Sequence, residues 1–245
     1  MDKELFYQAC EKVKNNSRTP NGIGTLGEKT LHAVLKHYFE PYAGSHEVKI
    51  EKYIADIVGE NGIIEIQTGG FDKLRNKLTS FLEVSSVTVV YPVASTKWLV
   101  WIDESGELTK RRKSPKKGNP CEIFFELYKI KPLLSHENLR LCVVMLDVEE
   151  YRVLDGWSKD KKKGSSRYER IPVGIVDEIH INGVSDYKRL IPENLPGEFT
   201  VRDFKKASGT SLRGAGLALN VLNDVGAVRR EGKIGNAFVY KITDI

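Results

Sequence analysis

Three acidic residues stand where carboxylates could share one cation. Asp56 interrupts the apolar run Tyr53-Ile54-Ala55-Asp56-Ile57-Val58, and Glu65 interrupts Gly62-Ile63-Ile64-Glu65-Ile66-Gln67-Thr68. Glu28 falls in the first turn of a helical pattern that begins near Thr25. Side chains alternate along a strand, so Glu65 and Gln67 share a face, and Asp56 can lie near them across a hairpin. Two carboxylates brought together repel, and one proton affinity rises unless a cation neutralises them. A hard divalent ion with oxygen ligands, Mg2+ or Mn2+, is the natural solution, and Mg2+ suits carboxylates that also hold a substrate phosphate. Such an ion can activate water and stabilise the charge of phosphodiester cleavage.

Each of these residues also has a plainer reading. Thr25-Leu26-Gly27-Glu28 is a capping box, in which Glu28 reaches back to the N-cap amide. Asp56 and Glu65 could face solvent on a half-exposed sheet, although a strand buried on both faces would exclude charge. Gly22-Ile23-Gly24-Thr25-Leu26-Gly27 matches the spacing of a dinucleotide loop, but Asn-Asn-Ser-Arg-Thr-Pro-Asn precedes it where a buried strand is required, so dinucleotide binding is rejected. The histidines (His32, His37, His46, His136, His180) are scattered and form no metal or triad signature.

The elements that must position the acids can be read from periodicity. Residues 3–15 are helical, and a second helix runs from near Thr25 through Leu31, Val34, Leu35, Tyr38 and Phe39 until Pro41 stops it. Strands are expected at 46–50, 53–58 and 62–68, with Asn61-Gly62 as the hairpin signal between the last two. A helix follows over 71–82, with Leu74, Leu78 and Phe81 on one face, then strands at 87–93 and 97–103. Residues 120–134 read as helical, and 139–148 and 171–181 as strands. The expected fold class is α/β, a mixed sheet flanked by helices.

Helix-Glu, strand-Asp, hairpin, strand-Glu-x-Gln, helix and strand, in that order over residues 25–93, resembles the PD-(D/E)xK nuclease superfamily. The resemblance implies a restriction-endonuclease-like core: a helix, a three-stranded antiparallel meander, a helix and a parallel strand. It implies metal binding by Asp56 and Glu65, assistance from Glu28, and a water-orienting role at position 67. That position carries Gln67 where the family has lysine, a departure met in branches with an ExQ element. Glutamine can ligate or orient water but supplies no positive charge; Lys73 and Lys77 on the next helix are the candidates to substitute, and the sequence leaves the choice open.

The stretch Pro192-Glu193-Asn194-Leu195-Pro196-Gly197 is the best domain boundary, dividing a nuclease-like domain, 1–191, from a small domain, 192–245. There Thr200 caps one helix, Ser211 caps a second that Gly226 closes, and a two-stranded hairpin follows, an order that resembles the end of a winged helix-turn-helix. Such domains commonly put the second helix in the DNA major groove, which makes Arg213 and, in the wing, Arg229, Arg230 and Lys233 the contacting residues. A winged helix used for protein contact is the alternative. The Gly/Ala-rich second helix favours close packing over base reading.

The chain has 245 residues, a net charge of +5, 40% hydrophobic and 29% charged residues, which is ordinary for a globular protein. Two runs hold much of the excess charge: Lys110, Arg111, Arg112, Lys113, Lys116 and Lys117, and Lys159, Lys161, Lys162, Lys163, Arg167 and Arg170. Both read as flexible loops, suited to a polyanion through counterion release; Arg111, Arg112 and Lys162 are the candidates for that contact. The charged N-terminus lacks a signal-peptide core and no apolar run is long enough to span a membrane, so a cytoplasmic location is expected. Cys10, Cys121 and Cys142 are odd in number and far apart, which suits buried thiols. The leading expectation is a Mg2+-dependent DNA endonuclease of restriction or repair type. A catalytically inactive DNA-binding or regulatory relative is the alternative, an RNA-directed nuclease is not excluded, and a homodimer stays open.

Overall fold

The ladder between Tyr53–Gly59 (β2) and Gly62–Ile66 (β3) sets the frame of the fold. The computed structural model describes residues 1–16, 30–103, 105–157 and 163–244. Before these two strands come the helices Lys3–Asn16 (α1) and Thr30–Phe39 (α2) and the strand His46–Ile50 (β1). Glu28, Thr25 and the glycine-rich loop before them lie outside the described residues, as does Lys162. β2 and β3 pair antiparallel with Gly59 opposite Gly62, so the turn residues are Glu60 and Asn61. Gly62 has φ +102, and a Cβ there would stand 2.4 Å from the Ser86 carbonyl oxygen, so glycine is required on both counts.

Helix Phe71–Leu82 (α3) carries the chain to Val87–Ile102 (β4), which pairs parallel with β3, Glu65 opposite Val89. β4 is one continuous strand where two were expected. Arg112–Lys113 (β5) pairs antiparallel with it, Trp98 opposite Lys113. After Phe124–Leu127 (α4) come two strands of 19 residues each, Leu139–Trp157 (β6) and Lys163–Ile181 (β7). The sheet order is β1-β2-β3-β4-β6-β7, with β5 beside β4, and the result is a large mixed sheet flanked by helices.

Two expectations need correction. Arg111 sits against a tryptophan ring and Arg112 and Lys113 form strand, so the first basic run is not all loop. Lys163, Arg167 and Arg170 belong to β7, which pairs with β6, so this part of the second run is strand and not loop. Residues 120–134 are helical as expected, in three pieces: 3₁₀ turns at Pro120–Ile123 and Tyr128–Leu133 flank α4, and Pro132 lies within the second.

The chain divides into two compact units. The first comprises Met1–His46, Ala94–Gly118 and Met145–Asp177. In it α1 buries Phe6, Ala9 and Val13, α2 buries Leu31, Val34, Leu35 and Tyr38, and the Phe6 and Tyr38 rings meet edge to face at 5.7 Å. The second comprises Glu47–Val93, Asn119–Val144 and Glu178–Ile245. Its C-terminal part contains Phe199–Thr200 (β8), Val201–Ser208 (α5), Leu212–Asp224 (α6), Val228–Ile234 (β9) and Ala237–Ile242 (β10), with sheet order β8-β10-β9. Thr200 and Asp203 cap α5 reciprocally, Gly209 ends it in the left-handed conformation at φ +68, and Ser211 Oγ accepts the Gly214 N–H at 3.0 Å. Among the described residues no helix is long and apolar enough to cross a membrane.

Candidate functional site

Beyond the pair Ile57–Ile64 the ladder between β2 and β3 ends, and two carboxylates fill the gap. The Glu65 Oε1 accepts the Asp56 backbone N–H at 3.2 Å, and the Asp56 Oδ2 accepts the Ile66 N–H at 2.8 Å. Each acid thus takes the place of a carbonyl from the facing strand. Register explains the meeting: with Gly59 opposite Gly62, Asp56 falls opposite Glu65, and a slip of one residue would turn one of them to the other face.

The third member comes from α3. Lys77 Nζ lies 2.6 Å from Glu65 Oε2, and its ammonium stands 5.5 Å from the centre of the Phe81 ring. Lys73, the other candidate on this helix, is exposed and makes no such contact. What sets the rotation of α3 is its apolar stripe: Phe71, Leu74, Leu78, Phe81 and Leu82 are all buried, which leaves Lys77 at the boundary. The helix starts directly after β3 through Gly69 and Gly70, the latter with φ +75. Gly70 offers no capping side chain; instead Glu126 Oε2 of α4 accepts the Phe71 N–H at 2.9 Å, and Lys129 in turn holds both Glu126 oxygens at 2.9 Å. Sequence reasoning missed this distant cap, and no local signal marks it.

Glu65 is fully buried and Asp56 half-buried. Burial pushes the Glu65 carboxyl above the usual carboxylate range, the Asp56 charge pushes it further, and the Lys77 ammonium opposes both. Two carboxylates of this kind suit a hard divalent ion that keeps waters and substrate oxygens for its remaining ligands. Among the described residues no group of three or more His, Cys, Asp or Glu forms a ready metal cage, and Glu28, the third acid of the expected set, lies outside them. Gln67 is half-buried and its backbone N–H donates to the Val90 carbonyl at 2.8 Å, while its side chain forms no hydrogen bond among the described residues.

A family model described as Domain of unknown function (DUF8091) matches residues 29–182. The chain belongs to the DUF8091 family. The family segment contains Asp56, Glu65 and Lys77 together with β1 to β7 up to Ile181, and it stops before β8. A protein of Treponema pallidum (strain Nichols), described as an uncharacterized protein, is 38% identical over 149 residues, 60% of this chain and 57% of that protein. The match therefore spans little more than half of that relative's length. No solved structure matches.

Within the DUF8091 segment, the Arg111 guanidinium lies over the Trp98 ring at 4.1 Å and bonds Glu149 at 2.8 Å, while Arg112 is exposed on β5. Beyond it, Arg213 is exposed at the start of α6. In the β9–β10 hairpin, Arg229 pairs with Glu231 at 2.5 Å, and Arg230 and Lys233 stack over Phe238 at 4.4 and 4.8 Å. The body of α6 is covered: Gly214, Ala215, Ala218, Leu219, Val221 and Leu222 are buried. A Cβ on Gly214 would stand 3.0 Å from the Phe125 ring of α4, and Lys131 bonds Asp224 at 2.9 Å. The small residues of this helix serve close packing, as their type suggests.

Proposed function

We propose that this chain is a metal-dependent DNA endonuclease of PD-(D/E)xK type, with Asp56, Glu65 and Lys77 as its active site. The observation that carries the reading is the Lys77 ammonium 2.6 Å from a carboxylate that is itself cross-bonded to the Asp56 strand. The family lysine, replaced by Gln67 just after β3, is in this reading supplied from α3. Element order supports the same reading: helix, strands, a helix, and a strand parallel to β3.

Asp56 and Glu65 would hold the divalent ion, which supplies a Lewis acid and an activated water for phosphodiester hydrolysis. The protein's own groups do the rest. Glu65 Oε1 and Asp56 Oδ2 are held at fixed positions by backbone N–H groups, so the carboxylates do not reorganise when substrate arrives. Lys77 opposes the rise in Glu65 proton affinity that burial and Asp56 bring, and places a positive charge beside the position where negative charge develops. The half-buried Gln67, two residues after Glu65, would be the water-orienting group. Residues 199–242 form a winged helix in this reading, presenting Arg213, Arg230 and Lys233 to the duplex backbone.

A cleavage assay on plasmid, single-stranded, branched DNA and RNA, with and without Mg2+ or Mn2+, tests the proposal. Metal-dependent DNA cleavage lost in Asp56→Asn and Lys77→Met supports it. Tight DNA binding without cleavage of any substrate favours the inactive, regulatory reading, to which the lysine seated on Glu65 also lends itself.

A further inference from the structure

A second concentration of charge lies in the first unit, on β4, β6 and β7. Glu150 is 2% exposed, and three cations meet on it. Arg152 Nη1 stands 2.7 Å from Oε1, Arg170 Nε 3.0 Å from Oε2, and Lys97 Nζ 3.4 Å from Oε2. Ser165 fixes Arg152 further, accepting its Nε at Oγ and its Nη2 at the carbonyl, both at 2.9 Å. The charge of Arg167 also reaches Lys97.

Among the described residues Glu150 is the one carboxylate that bonds these three cations, and the other acids nearby make different contacts. Glu149 bonds Arg111, and its neighbour position puts it on the opposite face of β6. Asp147 accepts the Thr96 N–H at 3.1 Å, and Glu169 the Arg170 backbone N–H at 2.9 Å. The cations are only 22 to 30% exposed at their side chains, so solvent screens their mutual repulsion incompletely. Crowding shows in Lys97, whose proton affinity is lowered by burial and by Arg170 and Arg167 despite the attraction of Glu150. Glu150 itself is held to about 2: burial acts to raise it, and Lys97, Arg170 and Arg152 outweigh burial. The two groups differ because Glu150 gains three partners while Lys97 gains one and meets two like charges.

We propose that Lys97, Arg152 and Arg170 form a phosphate-binding site, with Glu150 as the buried post that holds them in place, and that its occupant is a backbone phosphate of nucleic acid. Two guanidinium groups and an ammonium offer forked and point-charge donors to a tetrahedral oxyanion. Arg170 commits Nε to Glu150, and its guanidinium carries four further N–H donors. The strand carrying it also bears Arg167, which extends the positive potential along β7. The site lies wholly in the first unit and does not depend on Asp56, Glu65 or cleavage.

Duplex binding by the full chain, followed by anisotropy of a labelled oligonucleotide at several salt concentrations, tests this. Arg170→Gln and Lys97→Gln should each weaken binding about tenfold at low salt and reduce the log–log salt slope by about one unit. Glu150→Gln, which removes the negative charge, should make the slope steeper; a purely structural ion network would show no such opposition of sign. Titration with inorganic phosphate and with pyrophosphate separates the sources. Loss of phosphate binding in the variants with duplex binding unchanged overturns the backbone assignment. Unchanged affinity and slope in both titrations, with wild-type circular dichroism, overturns the site altogether. If Arg170→Gln fails to fold, Lys97→Gln, which leaves both arginines on Glu150, decides alone.

Discussion

Lys77 on α3 and Glu65 on β3 are twelve residues apart in the chain and 2.6 Å apart in space, an ion pair with one partner fully buried and the other 19% exposed. Removing one member of such a pair leaves an unpaired buried charge, at a cost of about 3 kcal/mol. Lys77→Met should therefore lower the melting temperature, raise the Glu65 proton affinity further, and reduce DNA cleavage at least a hundredfold. Thermal unfolding and single-turnover cleavage of the same preparation check both effects. A variant with wild-type cleavage removes Lys77 from the proposed site.

Asp56→Asn and Glu65→Gln should abolish cleavage while the protein stays folded. Glu65→Gln also has a stability signature. A carboxyl whose folded proton affinity is raised favours the folded state when protonated, so the wild type gains stability as pH falls from neutrality toward the ordinary carboxylate range, and loses it as pH rises back. Denaturant unfolding between pH 7.5 and 5 should show this gain in the wild type and its absence in Glu65→Gln. Equal pH dependence in the two proteins would mean that Glu65 is not strained by its surroundings.

Glu150 works in the opposite sense. Its carboxyl is held at about 2 against an ordinary 4.5, so its contribution is present above pH 4.5 and lost as pH falls through 2. The shift corresponds to roughly 3 kcal/mol. Acid unfolding of Glu150→Gln should lack this component, and the wild type should lose it between about pH 4.5 and 2. Coincident acid transitions would show that the three cations do not stabilise its charge.

The packing of α6 on α4 changes how the C-terminal segment should be probed. Gly214→Leu puts a side chain where a Cβ already meets the Phe125 ring at 3.0 Å, and should destabilise by about 1–3 kcal/mol. Deleting 197–245 would uncover the same face, so loss of DNA binding in a truncated chain could reflect damage to α4. The pair Arg230→Gln and Lys233→Gln leaves that packing intact. Together they should flatten the salt dependence of duplex binding by about two log–log units, measured by anisotropy. An unchanged slope would point the hairpin toward another protein surface.

How much of this was legible beforehand follows from which forces are local. Asp56 and Glu65 stand out because each breaks an apolar run, and a short turn after Gly59 makes them opposite by parity; strand alternation is written in the sequence. The capping of α5 and α6, the apolar face of α3 and the small residues of α6 are equally local, since they depend on residues three or four apart. The choice between Lys73 and Lys77 was not, because it depends on how far α3 rolls to bury Phe71, Leu78 and Phe81 against other elements. Nor could the length of β6 and β7 be read: Glu149, Glu150, Arg152 and Arg170 look like loop residues until partners on neighbouring strands neutralise them. The sequence determined which residues can carry charge into strands; only the tertiary structure decided which opposite charges meet, because burial of a charge is tolerated only where its partner arrives from elsewhere in the chain.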